Sequence, residues 1–124
     1  MLKSWRTIAG DDPVDVVFET VDALGNGVVL NGNQWNQHIV RRHPEVAPYE
    51  HKLRETVETP DCVYISEVRD DTRIFYKRHA ETGKFQRLFL KVVVAYDTEP
   101  GYVLTAYFCP NITGGKLLWI RTSL

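Results

Sequence analysis

A single-domain α+β fold, with two short helices ahead of an antiparallel sheet, is predicted by three features of the chain. An Asn-Gly turn separates two apolar runs near the N-terminus. Two proline-bounded helical segments follow, and after Pro60 the hydrophobic period changes from helical to strand-like. With 124 residues, 44% hydrophobic and 11% aromatic, residues 1–124 close one core and leave no room for a second domain.

Residues 1–12 read as a loosely held leader, with Asp11-Asp12-Pro13 as a turn. From Val14 through Val17 and Phe18 the chain is apolar; it turns at Leu24-Gly25-Asn26-Gly27 and resumes at Val28, Val29 and Leu30. The Asn-Gly pair supplies the positive backbone angles of a tight turn, which predicts an N-terminal β-hairpin. Asn31-Gly32-Asn33 reads as a turn ending in an N-cap, and the helix it opens covers about residues 34–42. Pro44 ends that helix, because proline disfavours helical geometry in the residue before it and has no N–H to donate. Pro48 suits the first turn of a second helix, in which Tyr49, Leu53 and Val57 recur at four-residue intervals. Glu50 stands four residues before Arg54 for an exposed ion pair, and the helix stops near Glu58, ahead of Pro60.

Residues 62–68, 73–79, 85–96 and 102–109 then read as strands, separated by Asp70-Asp71, Thr82-Gly83 and Glu99-Pro100-Gly101. The links are too short for crossover helices, so an antiparallel meander follows. Residues 117–120, after Gly114-Gly115, add a last edge strand. The expectation is a four- to five-stranded sheet on which the hairpin and helices pack. The run 88–94 is apolar on both faces, as in a central strand covered on both sides, with Lys91 as its exception.

Charge narrows the function classes. Charged residues make up 25% of the chain, 15 basic against 16 acidic for a net −1, so any nucleic-acid site is a local patch rather than a molecule-wide field. No apolar run approaches the roughly 18–20 residues that span a bilayer, and residues 1–10 lack the pattern of a signal peptide. These features predict a cytoplasmic protein without membrane contact. Cys62 and Cys109 are isolated and read as buried thiols in strands, and Asn111-Ile112-Thr113 is a sequon that a cytoplasmic chain leaves unmodified.

The segment richest in chemistry is Trp35-Asn36-Gln37-His38-Ile39-Val40-Arg41-Arg42-His43-Pro44-Glu45. At helical spacing Trp35 and Ile39 form the buried stripe, and His38 lies on its shoulder with Arg41 and Arg42 within one turn. Imidazole moves protons near neutral pH and guanidinium grips phosphate oxygens in pairs, a combination suited to phosphodiester chemistry. The bland alternative is a satisfied structural histidine beside two solvated arginines, with His43 favoured at a helix C-terminus by the macrodipole. Lys91, Thr105 and Tyr107 are polar groups inside otherwise apolar strands. Thr105 and Tyr107 share a face, and Lys91 joins them only if the hairpin register opposes it to Tyr107. Here the alternative is two residues of high β-propensity and a snorkelling lysine. His38 and His43 are not at the i, i+4 spacing of a metal pair, the carboxylates are scattered, and no glycine-rich phosphate loop occurs.

Those residues, together with Thr59-Pro60-Asp61, Phe75-Tyr76, Leu90-Lys91-Val92-Val93-Val94, Thr105-Ala106-Tyr107 and Leu118-Trp119, resemble a known family. It is the phage-type branch of the nucleases related to barnase, EndoU, colicin-type RNases and RelE (the BECR fold), and the resemblance covers roughly residues 28–121. It implies N-terminal helices packed on a four-stranded antiparallel sheet, and metal-free cleavage of RNA without a cofactor. The family's helix motif falls on His38, Arg41 and His43 and its strand motif on Thr105 and Tyr107, with Tyr76 and Lys91 as neighbours and Arg42 beside them for the substrate. In the chemistry this implies, His38 is the general base that removes the ribose 2'-OH proton, and Arg41, with Lys91 where register permits, stabilises the phosphorane. His43 or Tyr107 protonates the leaving 5'-oxygen, and a cyclic phosphate remains. RNA is the expected partner, and a cognate inhibitor protein is the second partner that such family company raises; the oligomeric state stays open.

Two other classes compete. One is a non-enzymatic interaction module that docks a protein by strand addition at residues 117–120. The other is a domain that binds a nucleotide or an ADP-ribose-like ligand. Separation of the helix and strand motifs by more than about 10 Å would exclude both site-based readings.

Overall fold

The computed structural model describes residues 15–122; the expected leader, its turn and the start of the first run at Val14 lie outside them. The expected hairpin forms, with β1 (Val16–Val21) antiparallel to β2 (Gly27–Asn31), but its turn takes the positive backbone angle at Gly25 (φ +92°) rather than at the Asn26-Gly27 pair, and Gly27 is already the first residue of β2. Asp22 is buried at its turn, where one carboxylate oxygen accepts the N–H groups of Leu24 and Asn26 at 2.8 and 2.9 Å.

Helix α1 is a continuous helical path built from an α turn (Gly32–Gln34), a π segment (Trp35–Ile39) and a second α turn (Val40–Arg42). It begins earlier than expected. Asn31, not Asn33, is the cap, and its side chain accepts from the Gln34 N–H at 2.8 Å. Gly32 allows that early start because it lies against β1, where a Cβ would meet Asp15 Cβ at 3.2 Å. A 3-10 stretch (Pro44–Tyr49) leads into α2 (Glu50–Glu58). Arg54 pairs forward with Glu58 at 2.9 Å rather than back with Glu50. Glu58 also accepts from Thr20 of β1, and the Val57 carbonyl accepts from the Ala23 N–H at 3.0 Å, so α2 and the hairpin are tied together.

The meander is β3 (Cys62–Ile65), β4 (Thr72–Arg78), β5 (Phe89–Ala95) and β6 (Gly101–Cys109), and β7 (Lys116–Ile120) pairs antiparallel with β3 at the edge. The sheet is larger than the four to five strands expected. Among the described residues seven strands run in the order β1-β2-β6-β5-β4-β3-β7, because β2 joins β6 in parallel through Val28 opposite Gly101 and Val29 opposite Tyr102. The hairpin is therefore part of the sheet. Its far link is Tyr96, whose hydroxyl donates to Asp22, and both burial and that carboxylate push the Tyr96 phenol up. At the other edge Gly115 adopts φ +86°, where a Cβ would meet the Ile65 carbonyl oxygen at 2.4 Å, so only glycine brings β7 this close to β3.

The two faces differ. Trp35 and Ile39 of α1, Val46, and Leu53 and Val57 of α2 bury one face with Phe18, Val28, Leu30, Phe75, Leu90, Val92 and Val94. Opposite, Cys62, Ile74 and Tyr76 form a smaller cluster under Ile112, with Phe89, Val93 and Cys109 half-exposed beside it. The expectation that the central strand is covered on both sides thus holds for one side only: helices cover Leu90 and Val92, and Lys91 lies on the half-open face. Cys62 is buried, Cys109 is half-buried, and both thiols are free and pushed up by burial. No helix among the described residues is long and apolar enough to cross a membrane.

His79 is enclosed beneath α2. The Thr56 hydroxyl donates to the Lys52 carbonyl at 2.7 Å, so it accepts from the ring Nε2–H at 2.8 Å, and Nδ1 lies 3.6 Å from Glu55. Burial, against the pull of Glu55, lowers this imidazole from its ordinary 6.5 to about 4. The unfolded chain therefore takes up the proton first. The contribution to stability is complete above pH 6.5 and is lost as pH falls from 6.5 toward 4. Urea titrations should show a loss of about 3 kcal/mol across that window, and His79→Gln should flatten it; an unchanged pH slope in the variant would show that other groups set it.

Candidate active site

The site is organised by the free edge of β6. Among the described residues, β2 pairs only with the first two residues of β6, and no strand lies beside it from Leu104 onward. Helix α1 takes that place, and the Gln34 side-chain amide donates to the Leu104 carbonyl at 2.6 Å. A donor from a helix thus satisfies an edge carbonyl that a strand would otherwise have taken. A residue at the end of α1 can then meet a side chain of the opposite face.

His43 is that residue. Its N–H continues the helix to the Ile39 carbonyl at 2.8 Å, and Pro44 turns the chain away. Its imidazole stacks on the Tyr107 ring with centroids 4.7 Å apart and planes at 26°. On its other flank Nδ1 lies 3.8 Å from the Glu45 carboxylate, and both side chains are about one-third exposed, at 30% and 33%. The ring is held from two sides yet remains open to solvent.

Lys91 approaches Tyr107 from within the sheet. It lies directly opposite Tyr107 on β6 and opposite Tyr76 on β4, so the three side chains form one row across the half-open face. Its ammonium nitrogen is 5.2 Å from the Tyr107 ring centroid and 5.9 Å from that of Tyr76. Burial draws the Lys91 pKa down, but the neighbouring Tyr107, Tyr76 and Cys109 outweigh it, and the net direction is up. Lys91 is therefore a fixed cation at neutral pH. Thr105 lies on the same face as Tyr107, opposite Val93.

The register that places Lys91 arises in two steps. Ala95, not Tyr96, faces Tyr102 at the turn, which by itself would put Lys91 on the wrong face. A bulge then inserts Leu104 between Val103 and Thr105 and restores the pairing of Lys91 with Tyr107.

The remaining predicted residues divide. His38, Arg41 and Arg42 are exposed on α1, and their side chains make no hydrogen bond, ion pair or ring contact among the described residues. Tyr76, expected to touch substrate, is 0% exposed; its hydroxyl donates to the Thr113 carbonyl at 3.0 Å and its ring supports Lys91 from the side. Its place in the row is as expected, but a buried ring has no surface to offer a ligand. Glu45 joins the site through the turn at Pro44, and its place two residues after His43 does not by itself mark it as a partner of that ring. The π segment beneath the motif, a feature found often at functional sites, also has no signature in the sequence. No group of three or more His, Cys, Asp or Glu placed to hold a metal occurs among the described residues.

In comparisons with protein-family models, with curated proteins and with solved structures, nothing matches this chain.

The His43–Tyr107 contact is testable without any substrate. A double-mutant cycle with His43→Ala and Tyr107→Leu, read by urea unfolding, should return a coupling of about 0.5–1.5 kcal/mol. Additive losses would mean that the two rings do not meet in solution.

Proposed function

We propose that this chain is a metal-independent endoribonuclease of the phage-type BECR branch its sequence resembles, with His43, Tyr107 and Lys91 at its centre. One observation carries the reading: three polar residues far apart in sequence, from a helix end and two strands, meet at one spot, with ring centroids of 4.7 Å where more than about 10 Å would have excluded it. Two helices ahead of an antiparallel β3-β4-β5-β6 meander also support it.

In this mechanism the His43 imidazole, oriented by Glu45, accepts the ribose 2'-OH proton, and the freed oxygen attacks the adjacent phosphorus. The bond from phosphorus to the 5'-oxygen breaks as the Tyr107 hydroxyl gives its proton to that oxygen. Products are a 2',3'-cyclic phosphate and a 5'-OH end, and the proton held by His43 then returns to the Tyr107 phenolate. Lys91 stabilises both the phosphorane and the transient phenolate. Arg41, Arg42 and His38, exposed and without acidic partners, hold flanking phosphates, and Thr105 offers a hydroxyl beside Tyr107. His43 thus takes the base role expected for His38, because it alone of the two is fixed against other groups of the site.

A second reading, protein docking by strand addition, rests on Leu117, Leu118 and Ile120, which are 49%, 41% and 63% exposed on edge strand β7.

Labelled mixed-sequence RNA incubated in EDTA should yield cyclic-phosphate ends. His43→Ala should lower the rate by about 10²–10⁴ and Lys91→Met by about 10²–10³, with His38→Ala much milder. Collapse in His38→Ala but not in His43→Ala would return the base role to His38; intact RNA at high protein concentration would leave the docking reading.

A further inference from the structure

Beside the cleavage row, the half-open face carries a second group of residues that the reaction does not use. Two residues along β5 from Lys91, Phe89 faces Arg78 of β4 on one side and Cys109 of β6 on the other. The Arg78 guanidinium carbon lies 4.4 Å over the centre of the Phe89 ring. Phe89 is supported in turn by Tyr76, whose ring meets it edge-on at 6.3 Å and 82°. Arg78 is also held at its backbone, where its N–H donates to Asp61 at 2.9 Å. Its guanidinium forms no ion pair among the described residues, and the residue is exposed.

A planar cation held over an aromatic ring, in an exposed residue, offers a surface for another flat ring. The charge around it points the same way. On this face the paired stretches of β4, β5 and β6 contribute two cations, Arg78 and Lys91, and no carboxylate; the Asp61 carboxylate beside the Arg78 backbone is itself paired with Arg121 at 3.0 Å. The occupant is therefore anionic and carries a flat apolar group. Arg78 and Phe89 sit about 7 Å along the strand from the Lys91 row, and two strand spacings of roughly 10 Å in total separate β4 from β6, which puts the backbones of Arg78 and Tyr107 about 12 Å apart. That is a short step along a stretched single strand.

We propose that Arg78 and Phe89 form a nucleobase-stacking subsite for single-stranded RNA, seating the base of a nucleotide that flanks the scissile phosphate. The proposal rests on the ribonuclease reading for its substrate and extends it to a strand form. A base inside an A-form duplex has both faces stacked on its neighbours and cannot lie on Arg78, so paired RNA is excluded. Stacking also makes the subsite tolerant of sequence, since every base has a flat face.

The test uses a short 2'-O-methyl oligonucleotide, which lacks the attacking hydroxyl and so reports binding whether or not the protein cleaves RNA. Fluorescence anisotropy with the wild type should show binding to the single strand and not to the same strand in a duplex. Arg78→Ala and Phe89→Ala should each weaken binding by roughly 10-fold. Arg78→Lys, which keeps the charge and loses the plane, should lose most of the same factor. Scanning an abasic nucleotide along the strand should find a position where the loss matches that of Arg78→Ala and where the variant loses nothing further. Equal binding by Arg78→Lys and the wild type, indifference to abasic sites, or no binding of the single strand would each overturn the subsite. Base-dependent binding without cleavage of ordinary RNA would uphold the subsite and overturn only the nuclease reading. Because Arg78 is exposed, its variants remain informative should Phe89→Ala fail to fold.

Discussion

The brevity of the parallel contact between β2 and β6 is the constraint on which the rest depends. Two residue pairs, Val28 with Gly101 and Val29 with Tyr102, are enough to bring the hairpin into the sheet, and the chain then leaves the sheet at Asn31. Had β2 continued alongside β6, its backbone would have filled the edge that α1 now occupies. Because it stops, Gln34 reaches the Leu104 carbonyl, and the end of α1 comes to rest where His43 covers Tyr107. The buried Asp22–Tyr96 pair holds the start of this arrangement, joining the hairpin turn to the turn between β5 and β6.

Stability and chemistry are divided between the two faces. Under the helices the core is apolar apart from the hydrogen-bonded His79–Thr56 pair beneath α2, and each fully buried Val, Leu, Ile or Phe contributes about 1.5–3 kcal/mol. The opposite face leaves room for polar groups because, among the described residues, the 110–115 segment lies over just part of it, through Ile112 and the Thr113 carbonyl. Lys91 can stay charged there because Tyr107 and Tyr76 partly replace the water that burial removes. A fully covered central strand, as the apolar run 88–94 implied, would have given an ammonium group no such company.

Much of the candidate site was legible, though not for the reasons that finally place it. Lys91 does face Tyr107, but through a turn register shifted by one residue and a bulge at Leu104 that shifts it back. Hairpin length alone gives no access to a bulge, which depends on how β6 meets both β5 and α1. Likewise the α-helical spacing that placed His38 beside Arg41 describes the exposed surface of α1 well, while the imidazole that touches the strand motif is the one at the helix end, where Pro44 stops the helix. Glu45, Arg78 and Phe89 had no signal, because each gains its role from a neighbour distant in the chain or from the turn that Pro44 imposes.

By itself the sequence determined the local elements: the N-terminal hairpin, the proline limits at which both helices stop, the antiparallel meander with its last edge strand, and the clustering of imidazole and guanidinium groups on one helix. These follow from backbone preferences and periodicity, which act within a few residues. Only the tertiary structure decided that the hairpin enters the sheet, that one face stays half-open among the described residues, and that His43 rather than His38 meets Tyr107, the ring beside Lys91. Each of those depends on which unpaired edge and which apolar surface find each other across the chain, and short-range pattern carries no record of that choice.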